Sequence, residues 1–154
     1  GCGGGGLIKM ILDQNDYCLV HGVDISPAMV TYCEKKLKTH INANRLRLNC
    51  ASVTALPHAS SSLDKVCSVN SLYFWPGIKE SLNEIKRVLI SGGMLVICIE
   101  TKASMQRHAC TKYDFQLLEA TEIKNCLEAA GFKQLNIQVR QSKSSDYLTI
   151  TGQK

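Results

Sequence analysis

The sequence opens on a run of glycines, Gly1-Cys2-Gly3-Gly4-Gly5-Gly6. Glycines this close together let the backbone turn sharply and approach a ligand closely, because no Cβ stands in the way. Apolar residues at helical spacing follow at once, and a second apolar run ends in Asp24, 18 residues after the last glycine of the run. A loop, a helix and a strand that ends in an acid form the unit that binds a nucleotide-like cofactor, with the acid on the ribose hydroxyls.

The glycine pattern alone leaves the cofactor open. Gly1, Gly3 and Gly6 fit the GxGxxG pattern of dinucleotide-binding proteins. Gly1, Gly3 and Gly5 fit the looser GxGxG pattern of S-adenosylmethionine enzymes, and a glycine-rich linker has a similar composition. Asp24 at the expected distance favours a cofactor site over a linker.

Length and composition indicate one globular domain. The chain has 154 residues, of which 45% are apolar and 20% are charged. No apolar run reaches the length of a membrane span, and no secretion signal is visible. The formal net charge of +5 is moderate, and the cluster of Lys35, Lys36 and Lys38 is typical of a solvated helix face. We therefore expect a cytoplasmic protein with neither nucleic acid nor a membrane as partner.

The eight cysteines show no metal-binding or disulfide pattern. None of them forms a CxxC pair, and none clusters with histidine, so we expect no metal site. Cys18, Cys67 and Cys98 fall in apolar, strand-like runs. We expect these cysteines to be small buried hydrophobic residues in a reducing compartment.

Helix and strand patterns alternate along the chain. Ser26-Pro27 predicts the start of a helix that ends near Thr39, and Thr121 is the predicted N-cap of a later helix that Gly131 ends in a Schellman motif. Other helices are expected after the glycine run and from residue 78 to Ser91-Gly92-Gly93, and strands are expected at 18–24, 46–50, 64–70, 94–99, 135–139 and 148–150. This order predicts an α/β three-layer sandwich with a mostly parallel sheet and a C-terminal antiparallel hairpin. Residues 100–115 have no clear period and are expected to form an exposed connection or lid.

Taken together, these segments resemble the class I S-adenosylmethionine-dependent methyltransferases, in particular the methyltransferase domain 11 type, whose fold is Rossmann-like. The resemblance covers nearly the whole chain and favours this class over a dehydrogenase. It rests on six motifs in the family's order: residues 1–5 (the glycine loop), 23–29 (VDISPAM), 51–57 (ASVTALP), 62–66 (SLDKV), 87–93 (RVLISGG) and 127–132 (LEAAGF).

The chain departs from the family pattern in two places. Ser52 and Ala51 stand where the family usually has aspartate and glycine. The family's first strand should lead into Gly1, and the sequence has no residues before it. The resemblance therefore predicts an N-terminally truncated methyltransferase domain over residues 1–154. The two strands that flank the missing one should either pair directly or leave a gap, and we expect the gap.

The resemblance also implies roles for individual residues. Asp24 should bind the ribose hydroxyls, Ile25 and Val53 should sandwich the adenine, and Ser52 should accept a hydrogen bond from the adenine amino group. Asn70 should face the methionine moiety or the methyl acceptor. The predicted cofactor-binding residues are Gly1, Gly3, Gly5, Asp24, Ile25, Ser52, Val53 and Asn70, and the predicted cofactor is S-adenosyl-L-methionine.

The sequence says less about the residues that would bind the methyl acceptor than about the cofactor site. Tyr73, Phe74 and Trp75 either wall an acceptor pocket or belong to the core. His58, His108 and Tyr113 lie near these motifs, but the sequence assigns no catalytic base. The chain lacks the Asn/Asp-Pro-Pro-aromatic and Pro-Cys motifs of nucleic-acid methyltransferases, which favours a small-molecule acceptor. The hypothesis is methyl transfer to a small molecule. The alternatives are a truncated Rossmann-like module that binds cofactor weakly and an oxidoreductase that binds a nicotinamide cofactor.

Overall fold

The computed structural model describes residues 1–108, 115–142 and 144–154. The chain divides into two compact units, Gly1–Pro57 and His58–Lys154, called unit 1 and unit 2 below. Each unit has its own sheet. Unit 1 contains the glycine loop and Asp24, whereas unit 2 contains Asn70 and the aromatic segment.

Unit 1 is a two-stranded parallel sheet with three helices. The strands pair in register from Val20 opposite Leu46 to Asp24 opposite Cys50. Its core contains Ile8, Leu12, Leu37 and Leu46, each no more than 5% exposed. The elements are α1 (Gly6–Gln14), β1 (Val20–Asp24), α2 (Pro27–Lys36), α3 (Lys38–Asn42) and β2 (Leu46–Cys50).

The start of α2 is as predicted, but its end is not. Ser26 caps the helix, since its Oγ accepts a hydrogen bond from Met29 N at 3.4 Å, and Pro27 occupies the first turn. The helix ends at Lys36, before the predicted Thr39. Leu37 leaves helical geometry, with φ −112° and ψ 24°, and is only 2% exposed. Burial of this side chain in the core of unit 1 interrupts a pattern that is locally helical.

Unit 2 is a four-stranded mixed sheet. Its strand order is β3-β4-β6-β5, with β3 parallel to β4 and the other neighbours antiparallel. The elements are β3 (Leu63–Val69), a 3-10 turn (Leu72–Phe74), α4 (Ile78–Val88), β4 (Leu89–Glu100), α5 (Lys102–Met105), α6 (Ala120–Ala129), β5 (Lys133–Arg140) and β6 (Tyr147–Gln153).

These elements confirm the predicted fold class. The chain is α/β, with parallel pairing of β1 to β2 and of β3 to β4, and it ends in an antiparallel hairpin of β5 and β6. The Schellman motif is also confirmed: Phe132 N donates to Leu127 O at 3.0 Å, Gly131 N donates to Glu128 O at 2.9 Å, and Gly131 has φ 80°.

Two predicted boundaries in unit 2 are wrong. β4 begins at Leu89, not near Met94, because Gly92 N and Gly93 O form hydrogen bonds with Lys154 and draw the glycines into the strand. The helix that Thr121 was expected to cap begins at Ala120, two residues earlier than that cap predicts. Its cap is Glu119, which forms a reciprocal capping box with Glu122.

The cysteine prediction is wrong for most of the described cysteines. Cys33 alone among them is buried, whereas Cys18 and Cys98 are partly exposed and Cys67 is exposed. Cys67 lies on β3, which pairs with β4 and with no other strand among the described residues. β1 likewise has β2 as its single described strand partner. Side chains of an apolar run are buried only where other elements cover the faces of the strand, and Cys67 is not covered in this way.

Of the predicted connection at 100–115, the structure describes both ends. Lys102–Met105 forms the short helix α5, with Thr101 Oγ1 accepting a hydrogen bond from Ser104 N at 3.2 Å. Residues 109–114, with Tyr113 among them, lie outside the described residues.

Candidate functional site

The glycine loop turns back onto the end of β1. Cys2 N donates to Val23 O at 2.9 Å, and Gly5 N donates to Cys2 O at 3.0 Å. Gly3 and Gly5 have φ of 48° and 72°, in the left-handed region that favours glycine. Gly5 is also the N-cap of α1. The loop therefore makes a tight turn beside the end of β1, where the glycine loop of a nucleotide-binding unit lies.

Two side chains of α2 clamp this loop. The Cys33 thiol donates to Gly3 O at 2.9 Å, and the Lys36 ammonium donates to Gly4 O at 2.9 Å. A Cβ added to Gly5 would lie 3.0 Å from both Cys33 Sγ and Leu37 Cδ1. Because neighbours 30 and 32 residues away hold these carbonyls, the glycine loop is a fixed surface of unit 1.

Asp24 connects the glycine loop to the start of α2. Its Oδ2 accepts a hydrogen bond from Gly3 N at 2.7 Å, and its Oδ1 accepts one from Ser26 N at 3.0 Å. The side chain is buried, with 7% of the residue exposed. A carboxylate has about four acceptor positions, so each oxygen retains the capacity for one further hydrogen bond. Asp24 can thus hold the loop and still accept a hydroxyl group.

The thiol beside this acid is not a nucleophile. Burial, together with the neighbouring Cys33 and Asp24, raises the pKa of Cys2 to about 11. A thiol with such a pKa is protonated near neutral pH, and the thiolate is the reactive form. Cys2 therefore contributes its backbone and its packing to the loop.

The segment after β2 lies next to Asp24. Ala51 N donates to Asp24 O at 3.0 Å. Ser52 Oγ accepts a hydrogen bond from Thr54 N at 3.2 Å and lies 2.8 Å from Thr54 Oγ1, which closes a local turn. Val53 is partly buried in this turn. The predicted adenine-side residues are thus brought to the end of β1.

An exposed apolar side chain and an open space lie beside Asp24 and the glycine loop. Ile25, immediately after Asp24, is 69% exposed. A Cβ added to Gly3 would meet no atom within 4 Å, so the space beside the loop is open. An apolar ligand surface and a few placed polar groups are the usual make-up of a cofactor site.

Asn70 follows β3 in unit 2. Its φ is 50°, a left-handed conformation that asparagine tolerates better than most residues, and its N–H donates to Cys98 O at 2.9 Å. Its side chain is exposed. The residue is therefore fixed by its backbone at the carboxyl end of a parallel strand, where ligands bind in open α/β sheets.

The three predicted acceptor-pocket aromatics differ in burial. Tyr73 and Trp75 are 3% and 4% exposed, whereas Phe74 is 59% exposed. Trp75 Nε1 donates to Ser71 Oγ at 3.3 Å, which fixes the indole inside unit 2. The Phe74 ring packs edge-on against Phe115, with centroids 4.7 Å apart. Of the three aromatics, only Phe74 is exposed enough to contact a ligand.

The sequence analysis named His108 but missed the polar cluster at the end of β4 to which it belongs. Glu100 Oε2 lies 3.0 Å from His108 Nε2 and accepts a hydrogen bond from Ser104 Oγ at 3.1 Å. Burial acts to raise the pKa of Glu100, but hydrogen bonds from His108, Ser145 and Ser104 outweigh it and the pKa falls below its usual value. Glu100 is therefore ionised near neutral pH. The acid and the histidine are eight residues apart without a recognisable motif, so no sequence signal joined them.

The three residues considered as possible bases are placed differently. His58 lies at the start of unit 2, where burial and the Arg87 charge lower its pKa. His108 belongs to the polar cluster around Glu100. Tyr113 lies outside the described residues.

Comparison with known proteins identifies the family. Residues 1–97, more than half of the chain, match the family model described as "Methyltransferase domain". The chain belongs to this family of class I S-adenosylmethionine-dependent methyltransferases.

One relative extends this match to the full length of the chain. An uncharacterized methyltransferase of Bacillus subtilis, YdaC, is 27% identical over 154 residues, which cover 100% of this chain and 80% of that protein. A malonyl-[acyl-carrier protein] O-methyltransferase of Paenibacillus is 30% identical over 98 residues, which are 62% of this chain and 35% of that protein. The chain thus spans most of the first relative and about a third of the second.

Solved structures share the fold at low sequence identity. The [4+2]-cyclase SpnF superposes with a TM-score of 0.85 and 18% identity over 100% of this chain and 73% of that chain. A methyltransferase of Aquifex aeolicus superposes with a TM-score of 0.83 and 16% identity, over 99% of this chain and 78% of that chain. Geranyl diphosphate methyltransferase in complex with S-adenosylmethionine superposes with a TM-score of 0.83 and 14% identity, over 99% of this chain and 75% of that chain. The fold is therefore Rossmann-like, as predicted, and the same fold serves a cyclase.

Among the described residues, no helix has the length and apolar character that a membrane crossing requires.

Proposed function

We propose that the protein transfers a methyl group from S-adenosyl-L-methionine to a small-molecule acceptor. Family membership supports methyl transfer in general. The observation that carries the cofactor assignment is the buried Asp24 carboxylate, hydrogen-bonded to Gly3 N at 2.7 Å beside an open loop surface.

The residues of unit 1 fit this cofactor. The loop is open at Gly3, where a Cβ would meet nothing within 4 Å, and a methionine moiety needs such close approach to the backbone. Asp24 has acceptor positions left for the ribose hydroxyls. Ile25 exposes an apolar side chain, as one wall of an adenine site requires. The bound cofactor would supply an electrophilic methyl group on a sulfonium.

The protein's own part is binding and orientation. Asp24 holds the loop closed through Gly3 and, in our proposal, fixes the ribose through the remaining lone pairs of its carboxylate. Ser52 stands where the family has an acid, and we assign its hydroxyl to the adenine amino group. Ile25 and Val53 exclude water from the base. In-line transfer depends on such positioning, because a held geometry removes much of the entropic barrier.

Unit 2 supplies the residues that we assign to the acceptor. The Phe74 ring is 59% exposed and packs on Phe115, and Asn70 presents an exposed amide after β3. A stacked aromatic surface suits an acceptor with an apolar or aromatic body. Geranyl diphosphate methyltransferase, which shares the fold, acts on a small molecule by name. Asn70 is assigned to orient the acceptor or the methionine moiety.

A second candidate is a module that binds the cofactor weakly and transfers no methyl group. The observation in its favour is that both Asp24 oxygens already accept backbone hydrogen bonds and that the residue is only 7% exposed. Calorimetric titration with S-adenosylhomocysteine, followed by transfer assays with methyl-labelled S-adenosylmethionine, separates the two. Saturable binding together with label transfer supports the methyltransferase. Saturable binding without transfer to any of a broad panel of small acceptors supports the module.

A further inference from the structure

Side chains from β1 and α2 hold consecutive peptide groups of the glycine loop. Gly3 N donates to Asp24 Oδ2 at 2.7 Å. The next two carbonyls turn toward α2: Gly3 O accepts a hydrogen bond from the Cys33 thiol at 2.9 Å. Gly4 O accepts one from the Lys36 ammonium, also at 2.9 Å. Glycine has the widest backbone freedom of any residue, so these contacts select one orientation for peptide groups that could otherwise rotate.

The Gly4 N–H is the main-chain donor that these contacts leave available. A trans peptide directs its C=O and its N–H to opposite sides, and no described peptide bond is cis. Because Gly3 O points to Cys33, the N–H of Gly4 points away from it. Gly5 N is used within the loop, since it donates to Cys2 O at 3.0 Å. Within the described ranges Gly4 N has no hydrogen-bond partner, and the residue is exposed.

We propose that Cys33 and Lys36 are positioning residues of the cofactor site, and that they hold the Gly4 N–H where it binds the carboxylate of the cofactor's methionine moiety. This inference rests on the proposed cofactor and assigns one of its groups to one atom of the loop. The carboxylate is the anionic group of S-adenosyl-L-methionine, and an N–H group forms a stronger hydrogen bond to an ionised acceptor than to a neutral one. The Lys36 charge beside Gly4 O favours an anion near the loop.

The two positioning residues differ in burial. Cys33 is 0% exposed, so water does not compete with Gly3 O for its thiol. Lys36 is exposed, and its ammonium lies over the Tyr32 ring, 5.6 Å from the ring centre. A Cβ on Gly4 would lie 3.7 Å from Tyr32 Cε1, so this ring borders the loop. We therefore expect loss of the Cys33 thiol to affect the loop more than loss of the Lys36 ammonium.

Two ligands that differ in one group test the assignment: S-adenosylhomocysteine and its decarboxylated analogue, each titrated calorimetrically into the full chain. Cys33→Ala should lower the affinity for S-adenosylhomocysteine by roughly 3- to 10-fold, as expected for one lost hydrogen bond of ordinary strength, and should change the affinity for the analogue by less than about twofold. Cys33→Ser keeps a donor for Gly3 O and should bind S-adenosylhomocysteine more tightly than Cys33→Ala. Lys36→Met should show the same selective loss to a smaller extent, and Lys36→Arg should retain the affinity.

Two controls separate positioning from packing and from general charge. Val30→Ala removes buried volume from the same helix, where Val30 is 8% exposed, and should lower stability without changing the preference between the two ligands. Lys35→Met removes a neighbouring exposed charge and should leave both affinities unchanged. Urea denaturation of each variant establishes that it is folded under the conditions of the titration.

The Gly4 amide proton gives a direct measurement by nuclear magnetic resonance of the isotope-labelled chain. S-adenosylhomocysteine should protect this proton from exchange with solvent, and the decarboxylated analogue should protect it much less. Cys33→Ala should weaken the protection. A residue that only supports the core of unit 1 would not make exchange at Gly4 depend on the ligand's carboxylate.

Binding by the wild-type chain keeps the two proposals distinct. If S-adenosylhomocysteine does not bind, the proposed function fails. If it binds, three results overturn this inference alone: the decarboxylated analogue binds as tightly, Cys33→Ala weakens both ligands equally or neither, or S-adenosylhomocysteine leaves exchange at Gly4 unchanged. If Cys33→Ala does not fold, Lys36→Met against Lys36→Arg makes the same comparison.

Discussion

Asp24 Oδ2 accepts a hydrogen bond from Gly3 N at 2.7 Å, across 21 residues of sequence. The acid that the family resemblance assigns to the cofactor is therefore also a structural member of the loop that would hold it. With Ser26 N bonded to the other oxygen at 3.0 Å, one carboxylate sets both the loop and the start of α2. Loss of Asp24 should affect stability and cofactor affinity together.

Asp24→Asn tests this double role. The asparagine oxygen can accept from one of the two N–H groups, and its amide then faces the other, which leaves a buried donor unsatisfied. The free energy of unfolding should fall by about 1–3 kcal/mol, measured by urea denaturation, and affinity for S-adenosylhomocysteine should fall with it. Asp16→Asn is the matched control, since that side chain is 87% exposed; its effect should stay within about 0.5 kcal/mol. Equal stability of both variants would mean that the Gly3 and Ser26 hydrogen bonds contribute nothing.

Gly5 and Gly6 form a second matched pair. Gly5→Ala places a Cβ 3.0 Å from Cys33 Sγ and from Leu37 Cδ1 at φ 72°, whereas a Cβ on Gly6 meets nothing within 4 Å. The left-handed backbone alone costs about 1–2 kcal/mol for alanine. Gly6→Ala, in the first turn of α1, should be neutral or stabilise by up to about 1 kcal/mol. Thermal melts of both variants check this, and a Gly5→Ala melt as high as that of Gly6→Ala would contradict the loop geometry.

Ser52→Asp tests the departure from the family pattern. An aspartate oxygen can accept from Thr54 N as Ser52 Oγ does at 3.2 Å, so the turn should persist. We expect the fold to tolerate the change and S-adenosylhomocysteine to bind at least as tightly, while Ser52→Leu should weaken binding. Calorimetry with S-adenosylhomocysteine and with S-methylmethionine, which lacks the adenosyl group, isolates the base. If neither substitution alters the preference between the two ligands, the segment around Ser52 does not contact the adenine.

The lowered pKa of Glu100 predicts that part of the free energy of unfolding depends on pH in the acid range. Although burial opposes it, hydrogen bonds from His108, Ser145 and Ser104 hold the pKa of Glu100 below its ordinary value of 4.5. The unfolded chain then binds the proton more readily, so this contribution is complete above pH 4.5 and is lost as the pH falls through the folded pKa. Wild type should lose stability across that range more steeply than Glu100→Gln in urea titrations from pH 3 to 6. Parallel curves would show that the carboxylate is not held by these partners.

Local patterns predicted the parts of the fold that depend on neighbours in sequence. The Ser26-Pro27 helix start and the Gly131 Schellman motif need only a few residues each, and both are confirmed. The end of α2 at Lys36 depends instead on the burial of Leu37 in the core of unit 1. The early start of β4 depends on hydrogen bonds to Lys154, at the other end of unit 2.

The candidate site also has some features that local sequence patterns predicted and others that depend on residues far apart in the chain. The glycine loop and the position of Asp24 at the end of a strand could be predicted from the sequence, because each depends on a short local pattern. The clamp of Cys33 and Lys36 on the loop carbonyls spans 30 and 32 residues, and side-chain partners at that distance leave no periodic signal. Glu100 and His108 belong to a stretch without helix or strand period, so only the folded chain brings them together.

The central claim is that unit 1 carries an S-adenosylmethionine site organised by Asp24. Calorimetric titration of the wild-type chain with S-adenosylhomocysteine and with NADH, repeated on Asp24→Ala, tests it most directly. We predict saturable binding of S-adenosylhomocysteine, no binding of NADH, and a loss of about 1.5–3 kcal/mol of binding free energy in the variant. Circular dichroism of the variant should first establish that it is folded. Tighter binding of NADH, or equal affinity of a folded Asp24→Ala for S-adenosylhomocysteine, would contradict it.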